Sequence, residues 1–207
     1  MIPETLALRG GSPGLQALLG RAVGLDASSS ARLRQRGEDF EVFVTTPFEV
    51  VASRRATGTI GRDGAVVGAH DLLEALQNES SEIGMPRDPN WPGALPPMEG
   101  FSLVDTIPVT VVRELADQGQ ALARQFSGPL GPPASLLNQT VLTVNSEEHE
   151  AEIPMRMIFT CTALGLIPGF AAPIDIPRHL RVSVSGRWVR VDAPFGSVYR
   201  STGLSLF

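Results

Sequence analysis

Apolar residues recur at helical spacing in a few stretches of this chain and alternate with polar ones in most of the rest. Leu15, Leu18, Leu19 and Val23 fall on one side of a helix. The preceding Gly10-Gly11-Ser12-Pro13 predicts a turn, with Ser12 as N-cap, Pro13 as the first helical residue and Gly24 as the C-terminal stop. A short helix is expected over 28–35, ending before Gly37, and another over 71–77 with Leu72, Leu73 and Leu76 inward. The longest helix is expected over 108–126, capped by Thr106. Its stripe of Val112, Leu115, Gly119, Leu122 and Phe126 lies opposite Arg113, Asp117, Gln120 and Arg124, and Gly128 and Pro129 stop it. Pro154 opens a nearly all-apolar buried helix over 155–166.

Period-two alternation and Val/Phe enrichment predict strands at 5–8, 40–45, 48–53, 140–144, 149–153 and 197–200. Thr46-Pro47 and the turn at 145–148 join two of these pairs into hairpins. The most sharply specified hairpin has Gly186-Arg187 as its two-residue turn. Val184 then pairs with Val189 and Val182 with Val191 on one face, and Ser185 with Trp188 and Ser183 with Arg190 on the other. Helices and antiparallel hairpins in mixed order make an α+β fold.

Residues 84–100 contain five prolines and three glycines, which admit neither a helix nor a central strand. This is the one internal boundary the sequence offers. The chain of 207 residues is expected to be a single domain with one large core, or two closely packed subdomains divided at this segment.

Cys161 is the only cysteine, so no intrachain disulfide and no cysteine-rich zinc site can form, in keeping with a reducing, cytoplasmic location. No secretory leader and no apolar run of ~20 residues is present, so a soluble protein is expected. The formal charge is −5 and all 17 basic residues are arginine. That balance disfavours nucleic acid as the main partner, although a local arginine patch could still hold one.

Candidate chemistry is sparse. Gly10-Gly11-Ser12-Pro13-Gly14 has the letters of a nucleophile elbow, but the residue after the serine must donate a backbone N–H to the oxyanion, and Pro13 has none. The acidic turn with Glu147, Glu148, His149, Glu150 and Glu152 spreads its carboxylates in a row toward solvent, so no metal is expected. His70, His149 and His179 share no spacing with one another or with Cys161, which sits in apolar surroundings that make a thiol inert. No catalytic residue, metal or cofactor is therefore assigned.

The residues that stand out are basic and aromatic. Arg178, Arg181, Arg187, Arg190 and Arg200 crowd the C-terminal hairpin with Trp188, and Asp192 is the only acid from Arg178 onward. Such a face can grip an acidic partner, stack bases or close on itself as a cation–π cluster. Trp91, inside the proline-rich segment, is either a second partner-binding aromatic or a strap over the core.

The segments ASLLNQTVLTV, IPMRMIFTCTALGLIP and VSVSGRWVRVDAPFGSVYR resemble an uncharacterised protein family of high-GC Gram-positive, actinobacterial bacteria, mainly over 96–200. The resemblance implies source and intracellular location and carries no functional residue. The leading expectation is a non-enzymatic protein that binds another protein through the 178–200 hairpin and Trp91. Self-association as a homodimer through hairpin edges is also compatible with the pattern. The alternative is a small-molecule-binding or hydrolytic enzyme whose site is assembled from distant residues, and nucleic-acid binding through the arginine-rich hairpin ranks third.

Overall fold

The computed structural model describes residues 2–126, 128 and 131–202. It divides the chain into two compact units, Met1–Leu95 and Pro96–Phe207. The boundary falls inside the proline-rich segment, where the sequence offers its one internal division.

In the first unit the order is β1 (Glu4–Gly10), α1 (Ser12–Leu25), β2 (Ser30–Arg36), β3 (Asp39–Thr45), β4 (Val51–Ile60), β5 (Val66–Gly68), α2 (Ala69–Gln77) and β6 (Glu82–Gly84). The strands are antiparallel neighbours in the order β5-β2-β3-β4-β1-β6. Ala31, Leu33, Phe40, Val42 and Val44 share one sheet face through the β2–β3 register and are fully buried, as are Leu15, Leu18 and Leu19 of α1.

Residues 28–35 are a correction to the sequence reading, because Ser30–Arg36 is a strand and not a helix. Pairing Leu33 with Val42 and Arg34 with Glu41 buries side chains on both faces, and β5, distant in sequence, pairs with the other edge of the strand at Ser30, Ala31 and Arg32. The hairpin partner of β3 also starts later than expected, at Val51, and runs through Gly58 to Ile60. Helix α1 is capped by Gly11 rather than Ser12. Gly11 has φ 89°, and a Cβ there would come within 2.9 Å of Ala56 Cβ, so both the conformation and the close approach require glycine.

The segment after β6 forms a short 3-10 turn, Asp88–Asn90, tied down by Arg62. Its guanidinium donates to both oxygens of Asp88 at 2.9 and 2.8 Å and to Glu4 Oε1. The hydrogen bonds from Arg62 hold the Asp88 carboxyl below its ordinary value, and those to Asp88 and Glu4 raise the guanidinium above its own.

The second unit runs β7 (Ser102–Pro108), α3 (Val109–Phe126), α4 (Ala134–Asn138), β8 (Thr140–Asn145), β9 (Glu150–Pro154), α5 (Met155–Ala163), β10 (His179–Ser185), β11 (Trp188–Ala193) and β12 (Gly196–Ser201). Its sheet has the order β12-β11-β10-β7, with β8 and β9 as a separate hairpin. The β10–β11 register is the one read from the sequence, Val184 opposite Val189 and Ser185 opposite Trp188. Strand β7 and helix α4 were not anticipated. The strand pairs with β10 over a sequence separation that no local pattern reports.

Helix α5 is buried from Met155 to Cys161, and Gly119 of α3 lies against Met155 and Phe159, where a Cβ would meet atoms at 2.6–2.8 Å. It ends at Ala163, short of the expected 166, because Gly165 turns the chain in the left-handed region. Pro129, read as part of the stop after α3, lies outside the described residues.

Both units open with a strand followed by a helix, of 14 residues in the first and 18 in the second, and place a further helix after antiparallel strands. This shared order shows no sequence period.

Candidate functional site

The arginine-rich hairpin is largely occupied with its own unit. Arg190, on β11, pairs through Nε with Asp192 Oδ2 at 2.8 Å and lies over the Phe101 ring at 4.3 Å from the centroid. Phe101 in turn meets Tyr199 edge-on, with centroids 6.1 Å apart. Arg190 and Tyr199 face each other in the β11–β12 register, so this is the internal cation–π cluster, seated on the face expected to be open.

Ser183 on the same face is buried and Trp188 is half-buried. Arg178 donates to the carbonyls of Gly169 and Ala172 at 2.9 and 2.8 Å and so holds the loop after α5. Arg187 occupies the turn, and its carbonyl accepts from the Thr202 N–H and hydroxyl. Burial lowers the Arg200 guanidinium from its ordinary value, repulsion from Arg156 adds to this, and Glu152 opposes it. Arg181 and Arg187 keep exposed side chains. The structure therefore does not unite these six residues in one open surface.

Trp91 is 8% exposed and carries Arg32 over its ring at 5.9 Å. It is the strap over the first unit's core. As a partner-binding aromatic it would need an open ring face, which this burial removes.

The histidines stay scattered, and among the described residues no group of His, Cys, Asp or Glu could hold a metal ion. Cys161 is 1% exposed and burial pushes its thiol up to about 12. It is expected to resist iodoacetamide at pH 8 in the folded protein and to react fully once unfolded; labelling at equal rates in both states would contradict this burial. Above the ordinary thiol value of 9.0 the unfolded chain ionises while the folded one does not, so the contribution of this group to stability falls as pH rises from 9.0 toward about 12.

Apolar surface is open elsewhere. Leu122 and Phe126 belong to the stripe expected to be buried, yet they are 40% and 67% exposed, because α3 runs on past Gly119, its last buried residue. With Pro133, Ser135 and Leu136 they line a groove of about 470 Å³. Continuation of an apolar stripe right up to a Gly-Pro stop was the signal available in the sequence.

A second groove, of about 590 Å³, lies in the first unit between β1 and residues 79–81. Leu6, Leu8, Pro13 and Leu76 form its apolar walls. A third, of about 430 Å³, borders it through Ser80 and carries Asp71, Glu74 and Glu82. Among the described residues no helix is long and apolar enough to cross a membrane.

The fold of this chain is similar to that of solved sliding clamps. The solved structures it is similar to include DNA polymerase sliding clamps from Pseudomonas aeruginosa (13% identity, TM-score 0.57) and Caulobacter crescentus (12%, 0.58), and a DnaN sliding clamp from Bartonella birtlesii bound to griselimycin (11%, 0.56). They cover 100%, 95% and 99% of this chain, which spans 66%, 65% and 66% of theirs. At these identities the likeness is one of fold. Residues 96–205 match DUF8185, a domain of unknown function, and the chain belongs to that family. Residues 5–93 match a second domain of unknown function, DUF8010, so the two matches meet at the boundary between the units. None of the curated proteins matches the chain.

Proposed function

We propose that this chain is a non-enzymatic, cytoplasmic protein that works by binding another protein, on a sliding-clamp fold. The observation that carries this reading is the open apolar groove at the end of α3, where Leu122 and Phe126 stand exposed beside Leu136. Exposed apolar side chains gathered around a groove are the usual footprint of a protein-binding site. The fold supports the same reading, since the solved structures it is similar to include one named as the beta subunit of DNA polymerase III, a component of a larger protein assembly.

Binding to nucleic acid is less well supported, although the relatives are DNA polymerase clamps. In the first unit α1 and α2 carry one arginine against two carboxylates, and in the second α3 carries two arginines against two carboxylates, which offers a phosphate backbone no net attraction in either. The arginines of the C-terminal hairpin are mostly engaged at home.

The test is capture from a lysate of a high-GC Gram-positive host, with tagged wild type and Leu122→Ser/Phe126→Ser in parallel, and mass spectrometry of what stays bound. A discrete protein retained by wild type and lost at least tenfold by the double variant is the expected result. Equal retention by both, or retention of nucleic acid that falls steeply with salt, would overturn the reading.

A further inference from the structure

The β1 groove of the first unit combines an unfinished sheet edge with a mainly acidic rim. Strand β1 pairs with β4 from Leu6 to Gly10, and Leu8 opposite Gly58 is a pair that exchanges no backbone hydrogen bonds, since the Gly58 N–H donates to Glu38 on the far side. The N–H and C=O of Leu8 therefore point away from β4. On that side β6 covers only the start of β1. Glu4 and Thr5 pair with Gly84 and Glu82, and the Leu6 N–H donates to the Ser81 carbonyl at 2.9 Å. The chain then leaves the edge at Ser80 and Glu79, the latter at φ 52°.

Among the described residues no strand follows along Leu8, and the groove of about 590 Å³ occupies that space. Its walls give an incoming segment apolar contact at Leu76 and Pro13. Its charge is set by Glu79 and, through the adjoining groove, by Glu74 and Glu82, while Asp71 there is paired with Arg87 at 3.1 Å. Arg9 is the one basic residue on either lining, and its guanidinium is engaged with the Glu38 carbonyl at 3.1 Å.

We propose that this groove binds an extended basic peptide of a partner protein, which pairs with the free edge of β1 at Leu8 and continues the sheet where β6 stops. The edge dictates an extended backbone, because only a strand presents a donor and an acceptor together to the N–H and C=O of one residue. Alternation then directs every second side chain at the walls, which take an apolar residue, and the residues between them toward the acidic rim, which takes arginine or lysine. The bare length of β1, from Ala7 to Gly10, accommodates about four residues of strand. This deepens the protein-binding reading and rests on it, at a surface separate from the α3 groove.

The experiment uses the full chain and the probe fluorescein-GRVRVRVG, followed by fluorescence anisotropy. Three comparisons accompany it: the acidic counterpart GEVEVEVG, the basic probe with its valine amides N-methylated, and the exposed-residue variant Glu79→Arg/Glu82→Arg. Saturable binding of the basic probe is expected, with at least tenfold weaker binding in each of the three comparisons. Thermal melting confirms that the variant is folded. Leu122→Ser/Phe126→Ser should bind the probe like wild type, so that loss of the α3 surface and loss of this one are read separately.

No saturable binding up to about 1 mM probe overturns the proposal, as does equal binding of the N-methylated or the acidic peptide. A concentration-dependent dimer that Glu79→Arg/Glu82→Arg dissociates in sedimentation velocity also overturns it, by giving the edge to a second copy of the chain. If the probe fails while a partner is still lost on Leu122→Ser/Phe126→Ser, the general reading stands and this proposal falls.

Discussion

Replacing Phe40 with alanine is expected to lower the unfolding free energy by about 4 kcal/mol, measured by urea titration. Phe40 is fully buried on β3, on the sheet face it shares with Leu33 and Val42. The ring also fills the space beside Gly58, where a Cβ would lie 3.1 Å from Phe40 Cε1 and 2.5 Å from the Ala7 carbonyl oxygen. Truncation leaves a cavity whose walls are strand backbone, which cannot move in to close it. A loss under about 1.5 kcal/mol would show that the sheet collapses around the site.

The second large effect is expected on the opposite face of the same strand. Glu41 is 1% exposed, and its carboxylate accepts from Arg34 Nη2 at 3.2 Å and from the Ser53 hydroxyl at 2.6 Å, with Arg36 Nη1 at 3.7 Å. Removing the carboxylate strands buried charge, so Glu41→Ala is expected to cost about 3–5 kcal/mol. The same physics predicts that Arg34→Met/Glu41→Leu recovers most of that loss, because an apolar pair avoids the desolvation cost of both ions. Denaturant titration of the single and double variants checks this, and a double variant less stable than Glu41→Ala would refute it.

Glu41 also shows where sequence reading reaches its limit. Alternation along 40–45 identifies a strand, and a single strand with one polar face looks half-exposed. In the structure Glu41, Val42, Phe43 and Val44 are all buried, so the polar residue belongs to an ion cluster rather than to solvent. Arg190 repeats the lesson in the second unit. Its position opposite Ser183 was legible from the turn at Gly186, but the Phe101 ring that covers it lies just past the proline-rich segment, in a stretch whose pattern predicts no element.

The interaction surfaces were legible only in part. Leu122 and Phe126 were visible as the end of an apolar stripe, while their exposure depends on where the core beneath α3 ends. The free edge of β1 could not be read at all, since it arises from the early departure of β6, a strand of three residues more than seventy positions away.

The sequence by itself determined what short-range physics controls. The α+β class, α2 and α5, the β8–β9 and β10–β11 hairpins and the boundary in the proline-rich segment follow from side-chain period, turn chemistry and the missing N–H of proline, all contained within a few residues. The tertiary fold settles what depends on partners distant in the chain: that β2 is enclosed between β3 and β5, that β7 exists, that Trp91 and Arg190 are held inside their own units, and which edge and which stripe are left open. Strand pairing and burial are interactions between segments, and the free energy that selects them appears only when both segments are present.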